Sequence, residues 1–503
     1  MSGVSHSIVN NTSNASTAFA LALDIGTSGI RGALYDSTGK EIDGTSVRNA
    51  RNLLTTIAGG AEFDADEAIA EVARTIDDVI ARASNLVPTI KVVTIACFWH
   101  SLVGVDQNGR AVTPVFGWAD TRAAHTILEL QRSFDERETH SRTGCRFHPS
   151  YWPAKLLWLR QQDKAGYHSA RWMSLSELLM QRFFGETAIS ISMASGTGLF
   201  NQRECAWDDT LLSYLGIRLD QLPIVAEDGK FLSGLITEYA CRWPILNEAR
   251  WFLPIGDGAA NNIGAGCATR NRAALMIGTS GAMRVMWSGD VPQTIPTGLW
   301  CYRADRARIV LGGALSDGGG LFGWMKDALA LTGTDEEIER ALDKIGPDEH
   351  GLTLLPFWAG ERSTGWHASA RGTIVGLSQD TEPIEILRAA MESVAYRFAL
   401  IASLLKQIAP LTAIIASGGA LRSSPVWTQM IADVLGRSIS LSDAHEASSR
   451  GAVLLALEME GKIRDVADVP APIECTYEPD MAHHARYLEG LERQEKLYAR
   501  LIT

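Results

Sequence analysis

The chain is poor in cysteine, and its cysteines do not pair by spacing. The seven (Cys97, Cys145, Cys205, Cys241, Cys267, Cys301, Cys475) are odd in number and scattered, with no C-x-x-C. Neither a zinc site nor a disulfide framework follows from such a pattern. A reducing, cytoplasmic compartment is expected. Long hydrophobic runs are also missing: none approaches the roughly 20 apolar residues that span a bilayer. Positive charge is not in excess, since 46 Lys and Arg stand against 58 Asp and Glu, a net charge of −12. That balance argues against nucleic acid or a membrane as partner. An anionic ligand would have to be held by local cations and backbone dipoles. Residues 1–17 lack a basic start and an apolar centre, so they are expected to form a flexible tail and not a signal peptide. No G-x-x-x-x-G-K-[ST] occurs, which excludes a P-loop, and no G-x-G-x-x-G follows a strand.

What is present is a repeated pentapeptide. Ile-Gly-Thr-Ser-Gly stands at residues 25–29 and again at 277–281, 252 residues apart, about half of the 503-residue chain. Each copy follows a short apolar run, and each is followed closely by an arginine, Arg31 or Arg284. Glycine lets a backbone turn and approach a ligand, so that successive N–H groups point at phosphate oxygens. Thr and Ser hydroxyls add donors. Length alone suggests roughly three domains, but the duplication predicts two similar ones holding a nucleotide between them.

Strands are expected at 18–24, 30–35 and shortly after 39, an antiparallel start to a sheet. Residues 64–83 read as an amphipathic helix with Ile69, Val72, Ile76, Val79 and Ile80 on one face. A buried strand follows at 92–96, and alternating strands and helices point to an α/β class. Composition shifts to Gly and Ala at 254–266, where the domain boundary is placed. Residues 273–287 restart strand–turn–strand. A helix is expected at 383–404, capped by Asp380 or Thr381 and carrying a stripe of Ile384, Leu387, Met391, Val394, Phe398 and Ile401. Residues 155–159 read as a helix with one buried face.

Several residues carry possible chemistry. Asp24 ends the first strand and could reach Mg²⁺; otherwise it only forms a turn. Thr27, Ser28, Gly29 and Arg31 belong to the first hairpin, and Gly278 and Thr279 to the second. Asp257, after an apolar stretch and before small residues, suits a general base for a sugar hydroxyl, or a helix cap. Trp99 and His100, near Asp120 and Arg122 in sequence, offer the aromatic faces and polar groups of a polyol pocket, although a lone His after a strand is more often structural. Gly418-Gly419 at a strand end would leave a flat slot for adenine.

Taken in order, these pieces resemble the FGGY carbohydrate kinases over about residues 18–466. The matching stretches are Leu23-Asp24-Ile25-Gly26-Thr27-Ser28, Trp118-Ala119-Asp120-Thr121-Arg122, Lys155-Leu156-Leu157-Trp158-Leu159, Asp257 with Gly264, the second pentapeptide, Leu355 through Gly360-Glu361-Arg362, and Ser417-Gly418-Gly419-Ala420. The resemblance implies two actin-like ATPase (ribonuclease H-like) domains with a cleft between them, divided at 18–256 and 257–503. It implies ATP and Mg²⁺, Asp257 as catalytic base and Asp24 near the metal. Thr27, Ser28, Gly29, Arg31, Gly278, Thr279, Gly319 and Gly419 would contact the nucleotide, and Ser423 stands where some members carry Asn. The sugar would meet Trp99, His100, Asp120, Arg122 and Asp257. Upstream of Lys155, Trp152 replaces a small residue of the family pattern and would alter that wall of the pocket. Trp99-His100-Ser101 disfavours glycerol, and the combination with Trp118-Ala119-Asp120 and 278–284 looks most like the gluconokinase branch. The expected partner is therefore a small sugar or sugar acid, D-gluconate first, with a xylulose-like pentulose or polyol as the alternative. His100, Arg122, Arg146 and Lys155 are candidates for binding a substrate carboxylate. From other classes, an actin-like ATPase acting on a protein and a silent sugar sensor share the fold; the Trp118–Arg122 stretch and Asp257 argue against the first, and Asp24 with Asp257 against the second. A homodimer is compatible with the sequence.

Overall fold

The structure, a computed structural model, describes residues 19–51, 53–83, 90–162 and 167–502. The expected tail at 1–17 lies outside them. Two seven-stranded sheets organise the chain. In the first, Ala20–Ile25 runs antiparallel to Gly29–Tyr35 and parallel to Val92–Cys97, whose other side is lined by Arg250–Phe252 and Ile255–Gly256, also parallel. In the second, Arg272–Ile277 runs antiparallel to Gly281–Ser288 and parallel to Ala413–Ser417, with Ile439–Ser442 parallel beyond it. The same strand pattern is thus built twice, each time with a long helix on one face.

The first of these helices, Ala65–Arg82, starts where Asp64 accepts the Glu67 N–H at 2.8 Å and buries Ile69, Val72, Ile76 and Val79. The second, Pro383–Lys406, buries Leu387, Met391, Val394, Phe398 and Ile401 and leaves Ile384 only partly covered. Neither Asp380 nor Thr381 caps it. Thr381 Oγ1 accepts the Ser378 N–H (2.9 Å), so its hydroxyl is spent on the preceding turn, and Asp380 lies two residues ahead of the cap position. Glu382 is the cap, in a reciprocal box with Glu385, and Pro383 takes the first helical position. Trp152–Gln161 also departs from expectation: residues 152–159 are buried all round, not on one face. Trp152 donates its indole N–H to the Ser101 carbonyl (2.8 Å), inside the lobe and not at a pocket wall.

Two helices join the lobes. Asp257–Gly264 leads out of the first sheet, and Ala447–Met459 returns from the second lobe to pack on the first sheet. They cross backbone to backbone. A Cβ at Gly264 would lie 1.8 Å from the Ala447 carbonyl oxygen, and one at Gly451 1.8 Å from that of Ala260. Only glycine fits both positions. On the far side the edge strand Trp300–Arg303 docks on the first lobe, with the Cys301 N–H on Gly144 O (2.9 Å) and Arg303 Nε on Gln202 O (2.7 Å). Among the described residues, no helix is long and apolar enough to cross a membrane.

Candidate active site

In open α/β sheets, ligands bind beyond the carboxyl ends of parallel strands. Three such ends meet here. Asp24 sits opposite Ala96, Trp99 and His100 follow Cys97, and Asp257 follows Gly256, which pairs with Cys97. Register alone therefore gathers Asp24, His100 and Asp257 on one edge.

Asp257 opens its helix, one residue past the cap Gly256, and Oδ1 accepts the Gly258 N–H at 2.7 Å. Its turn rests on the Trp99 ring: a Cβ at Gly256 would lie 1.9 Å from that ring, and one at Gly258 2.6 Å from it. Trp99 is buried and donates its indole N–H to the Ser192 carbonyl (2.9 Å), so it supports the turn from below. Burial, then the nearby Asp24 charge, pushes the Asp257 carboxyl up to about 6, against the opposing pull of Arg284. Arg284 is buried under the same helix, with Nε on Asn262 Oδ1 and Nη2 on Asn261 Oδ1, both at 3.0 Å.

Asp24 is buried, which raises its carboxyl, while Arg31 opposes the shift. Arg31 Nη1 lies 3.2 Å from Asp24 Oδ2, and Nε lies 3.3 Å from Glu446 Oε1, so it ties the first hairpin to the second lobe. The two pentapeptides close differently. In the first, the Gly26 N–H reaches Gly29 O (2.9 Å); in the second, the Gly278 N–H reaches Ser280 O (2.9 Å). The second loop is one register step shorter, and Ser28 and Thr279 are the exposed tips. Gly319 packs against the second hairpin, donating its N–H to Gly278 O (2.8 Å). Beside it, a Cβ at Gly419 would meet open space, while the Ser423 hydroxyl turns back onto Gly419 O (2.9 Å).

The pocket wall next to Asp257 is aromatic. His100 sits at φ 72°, its Nδ1 2.5 Å from Gly196 O, with the Tyr151 ring 5.0 Å away edge-on. Burial pushes its imidazole down to about 3, so it is neutral. The carbonyl fixes the proton on Nδ1 and leaves Nε2 as an acceptor. Tyr151 and Tyr302, from opposite lobes, share a hydrogen bond of 2.5 Å between their hydroxyls. Asp120 is buried and spent on the Ala61 N–H (3.0 Å) and on Arg122 Nε (3.1 Å). Arg122 is further paired with Glu62 and lies over the Trp158 ring at 5.0 Å. The structure thus brings Asp24, His100 and Asp257 to one sheet edge, and ties Asp120 and Arg122 to each other, to the Ala61 N–H and to Glu62. Asp317 was not anticipated. It follows the Arg308–Leu315 strand and precedes Gly318-Gly319-Gly320, the same acid-then-glycine signal as Asp257, and burial pushes it up to about 6.

With that geometry in place, comparison with known proteins decides the family. The profile of the FGGY family of carbohydrate kinases, N-terminal domain, matches residues 19–264, and that of the C-terminal domain matches 273–459. The chain belongs to the FGGY family of carbohydrate kinases. It is a phosphotransferase with an alcohol acceptor, built from two actin-like ATPase domains with a cleft between them, and FGGY kinases use ATP as phosphate donor. The kinase is 28% identical to a gluconokinase of Bacillus subtilis (strain 168), covering 92% of this chain and 91% of that one. A gluconate kinase from Lactobacillus acidophilus superposes with a TM-score of 0.87 at 28% identity, over 96% of this chain and 98% of that one. A ligand-bound xylulose kinase from the same organism gives 0.88 at 28% identity over the same shares.

Proposed function

We propose that this kinase phosphorylates the terminal hydroxyl of D-gluconate, yielding 6-phosphogluconate. The observation that carries the reading is full-length similarity, in sequence and in structure, to proteins named as gluconate kinases. In this proposal the 18–256 lobe holds the sugar and the first hairpin, and the 257–503 lobe holds the second hairpin and the adenosine site. Ser28 and Thr279, exposed at the two hairpin tips, would face the nucleotide phosphates with Thr27, Gly29 and Gly278. Gly319 and Gly419 would flank the base, with Ser423 beside them. The open space at Gly419 and the exposed tips fit such a ligand. Asp24 would serve Mg²⁺ as one carboxylate, which suits an ion held mainly by phosphate and water.

Bound ATP supplies an electrophilic γ-phosphoryl group. Asp257 takes up the proton of the attacking hydroxyl, a role suited to a carboxyl group raised to about 6. His100 Nε2 accepts from a second substrate hydroxyl. The Trp99, Tyr151 and Tyr302 rings limit the water that would otherwise compete as nucleophile. ADP release should be measured against D-gluconate, D-xylulose, L-ribulose, glycerol and erythritol, with stimulation by gluconate alone as the expected result. Stimulation by D-xylulose and not gluconate would replace this reading with a pentulose kinase, which the equally similar xylulose kinase favours.

A further inference from the structure

The cations that the sequence offers to a substrate are engaged elsewhere. Arg122 is held by Asp120 and Glu62. Arg146 pairs with Glu136 at 2.8 Å. Lys155 is buried, with Nζ on Pro149 O (2.8 Å) and Ser150 O (2.5 Å). Arg284 is held differently. It stands on the Gly281–Ser288 strand, which leaves the second hairpin, and it is buried. Its donors go to neutral amides, Nε to Asn262 and Nη2 to Asn261, both on the helix that Asp257 opens. Asn262 returns a bond from Nδ2 to the Arg284 carbonyl (3.3 Å). The third nitrogen, Nη1, fills the space next to the base: a Cβ at Gly258 would lie 2.7 Å from it. Residues 258, 261 and 262 share one helix face, so the guanidinium clasps that face beside Asp257.

Among the described residues, Arg284 forms no ion pair. A buried guanidinium without a paired acid is costly, and a neutral side chain would brace the same helix at less cost. The carboxylate that its charge reaches is Asp257, and the effect is mutual. Four groups face Asp257 from four elements. They are Asp24 from the first strand, the Cys97 thiol from Val92–Cys97, Arg284, and Arg362 from the 359–366 loop. Burial, then Asp24, opposes ionisation of Asp257; the arginines favour it, Arg284 more strongly than Arg362. Arg362 also donates Nη2 to Leu315 O (2.7 Å) and lies 4.5 Å from the centre of the Trp118 ring. Burial pushes the Cys97 thiol well up, and the Cys267 thiol near Arg284 up to about 12, so both are neutral. Arg284 is pushed down to about 10 by burial, which leaves it charged at pH 8.

We infer that Arg284 is a positioning residue for the phosphoryl transfer: it clasps the helix of Asp257 and keeps that carboxylate ionised, able to take the substrate proton. The inference rests on Asp257 as base. kcat/KM should be measured from pH 5.5 to 9 in the wild type, Arg284→Met and Arg284→Lys, with whichever of the five acceptors above stimulates ADP release most. The wild-type acid limb is expected near pH 6. Met fills the site without charge, and losing an opposite charge moves a carboxyl by about 1–3 units. In Arg284→Met the limb should rise by about one unit or more, a loss of about tenfold at pH 5.5 that shrinks toward pH 9. Lys keeps the charge without the planar fork, so its limb should stay near the wild-type position whatever its kcat. A limb unmoved by Met, or moved as far by Lys, would overturn the inference and leave Asp257 as base. Denaturant unfolding at pH 8 gives a readout independent of turnover. Arg284→Met should be worse for stability in the wild type than in Asp257→Asn, which has no carboxylate to support. Equal effects in both backgrounds, or failure of both to fold, would make Arg284 a structural brace and overturn the inference. Folding in the Asp257→Asn background alone would bear it out. Near-normal turnover of Asp257→Asn would overturn the base reading, and this inference with it.

Discussion

Asp257→Asn should abolish turnover and raise stability at the same time. The side chain keeps its shape and can still accept the Gly258 N–H, so the turn over Trp99 survives. What it loses is a carboxylate that burial and Asp24 hold unfavourably. The rise from the ordinary 3.8 to about 6 corresponds to about 3 kcal/mol at pH 8. The sign follows from proton binding. The folded-state value lies above the unfolded one, so ionised Asp257 destabilises the fold at high pH. The advantage of Asn is complete above about pH 6 and vanishes as pH falls through 3.8. Denaturant unfolding of both proteins at pH 8 and pH 4.5 tests this, alongside kcat with excess substrate. The expected result is a higher midpoint for the variant at pH 8, a smaller gap at pH 4.5, and a kcat lower by about 10³-fold or more. A variant less stable than wild type at pH 8 would refute the claim that Asp257 is held against its charge. Near-normal turnover would refute its role as base.

Three further outcomes are expected. The acid limb of kcat/KM should break near pH 6 and fall tenfold per unit below it as Asp257 takes up a proton, and Asp317→Asn should leave the break in place; a break near pH 4 in the initial-rate profile would remove Asp257 from the role. Gly264→Ala would gain about 1 kcal/mol of helix propensity, yet its Cβ would meet the Ala447 carbonyl at 1.8 Å. The clash should win, lowering the unfolding midpoint and cutting kcat/KM by about 100-fold through a displaced Asp257; an unchanged or higher midpoint would show that the two helices can slide apart. Tyr151→Phe removes the hydroxyl contact with Tyr302 across the lobes and should cost about 1–3 kcal/mol in denaturant unfolding; no loss would mean that the contact does not tie the lobes.

The sheets, the long helices and the acids at strand ends were legible because each has a local signature. Asp24 and Asp257 both follow apolar runs and lead into glycine. Asp317 carries the same signature in Leu315-Ser316-Asp317-Gly318 and could have been found by it. The cap of the 383–406 helix was not legible, since Asp380, Thr381 and Glu382 are all able caps and the choice depends on which of them the preceding turn uses. The binding role of each cation was less legible still. Arg122, Arg146 and Lys155 look alike in sequence, and only their partners, drawn from residues 2 to 151 positions away, show that each is already engaged.

The repeated pentapeptide shows most directly how identical residues come to do different work. Asp24 faces Arg31 across the first hairpin, while its counterpart in the second copy, Met276, faces Ala282. Measured along the repeat, that is a shift of one residue, and a one-residue shift turns every side chain of the following strand to the other face. Met283, the counterpart of Arg31, therefore enters the second core, and Arg284 comes round to the face that holds the Asp257 helix. The two arginines fall at different places in the repeat, yet each points toward the space between the lobes: Arg31 at Asp24 and Glu446, Arg284 under Asp257. The spacing of arginine after each copy, six residues from Ile25 and seven from Ile277, compensates for the difference in loop closure. Duplication explains the shared scaffold, and the change of register explains why one copy carries a carboxylate–arginine pair while the other sets a cation beneath the candidate base.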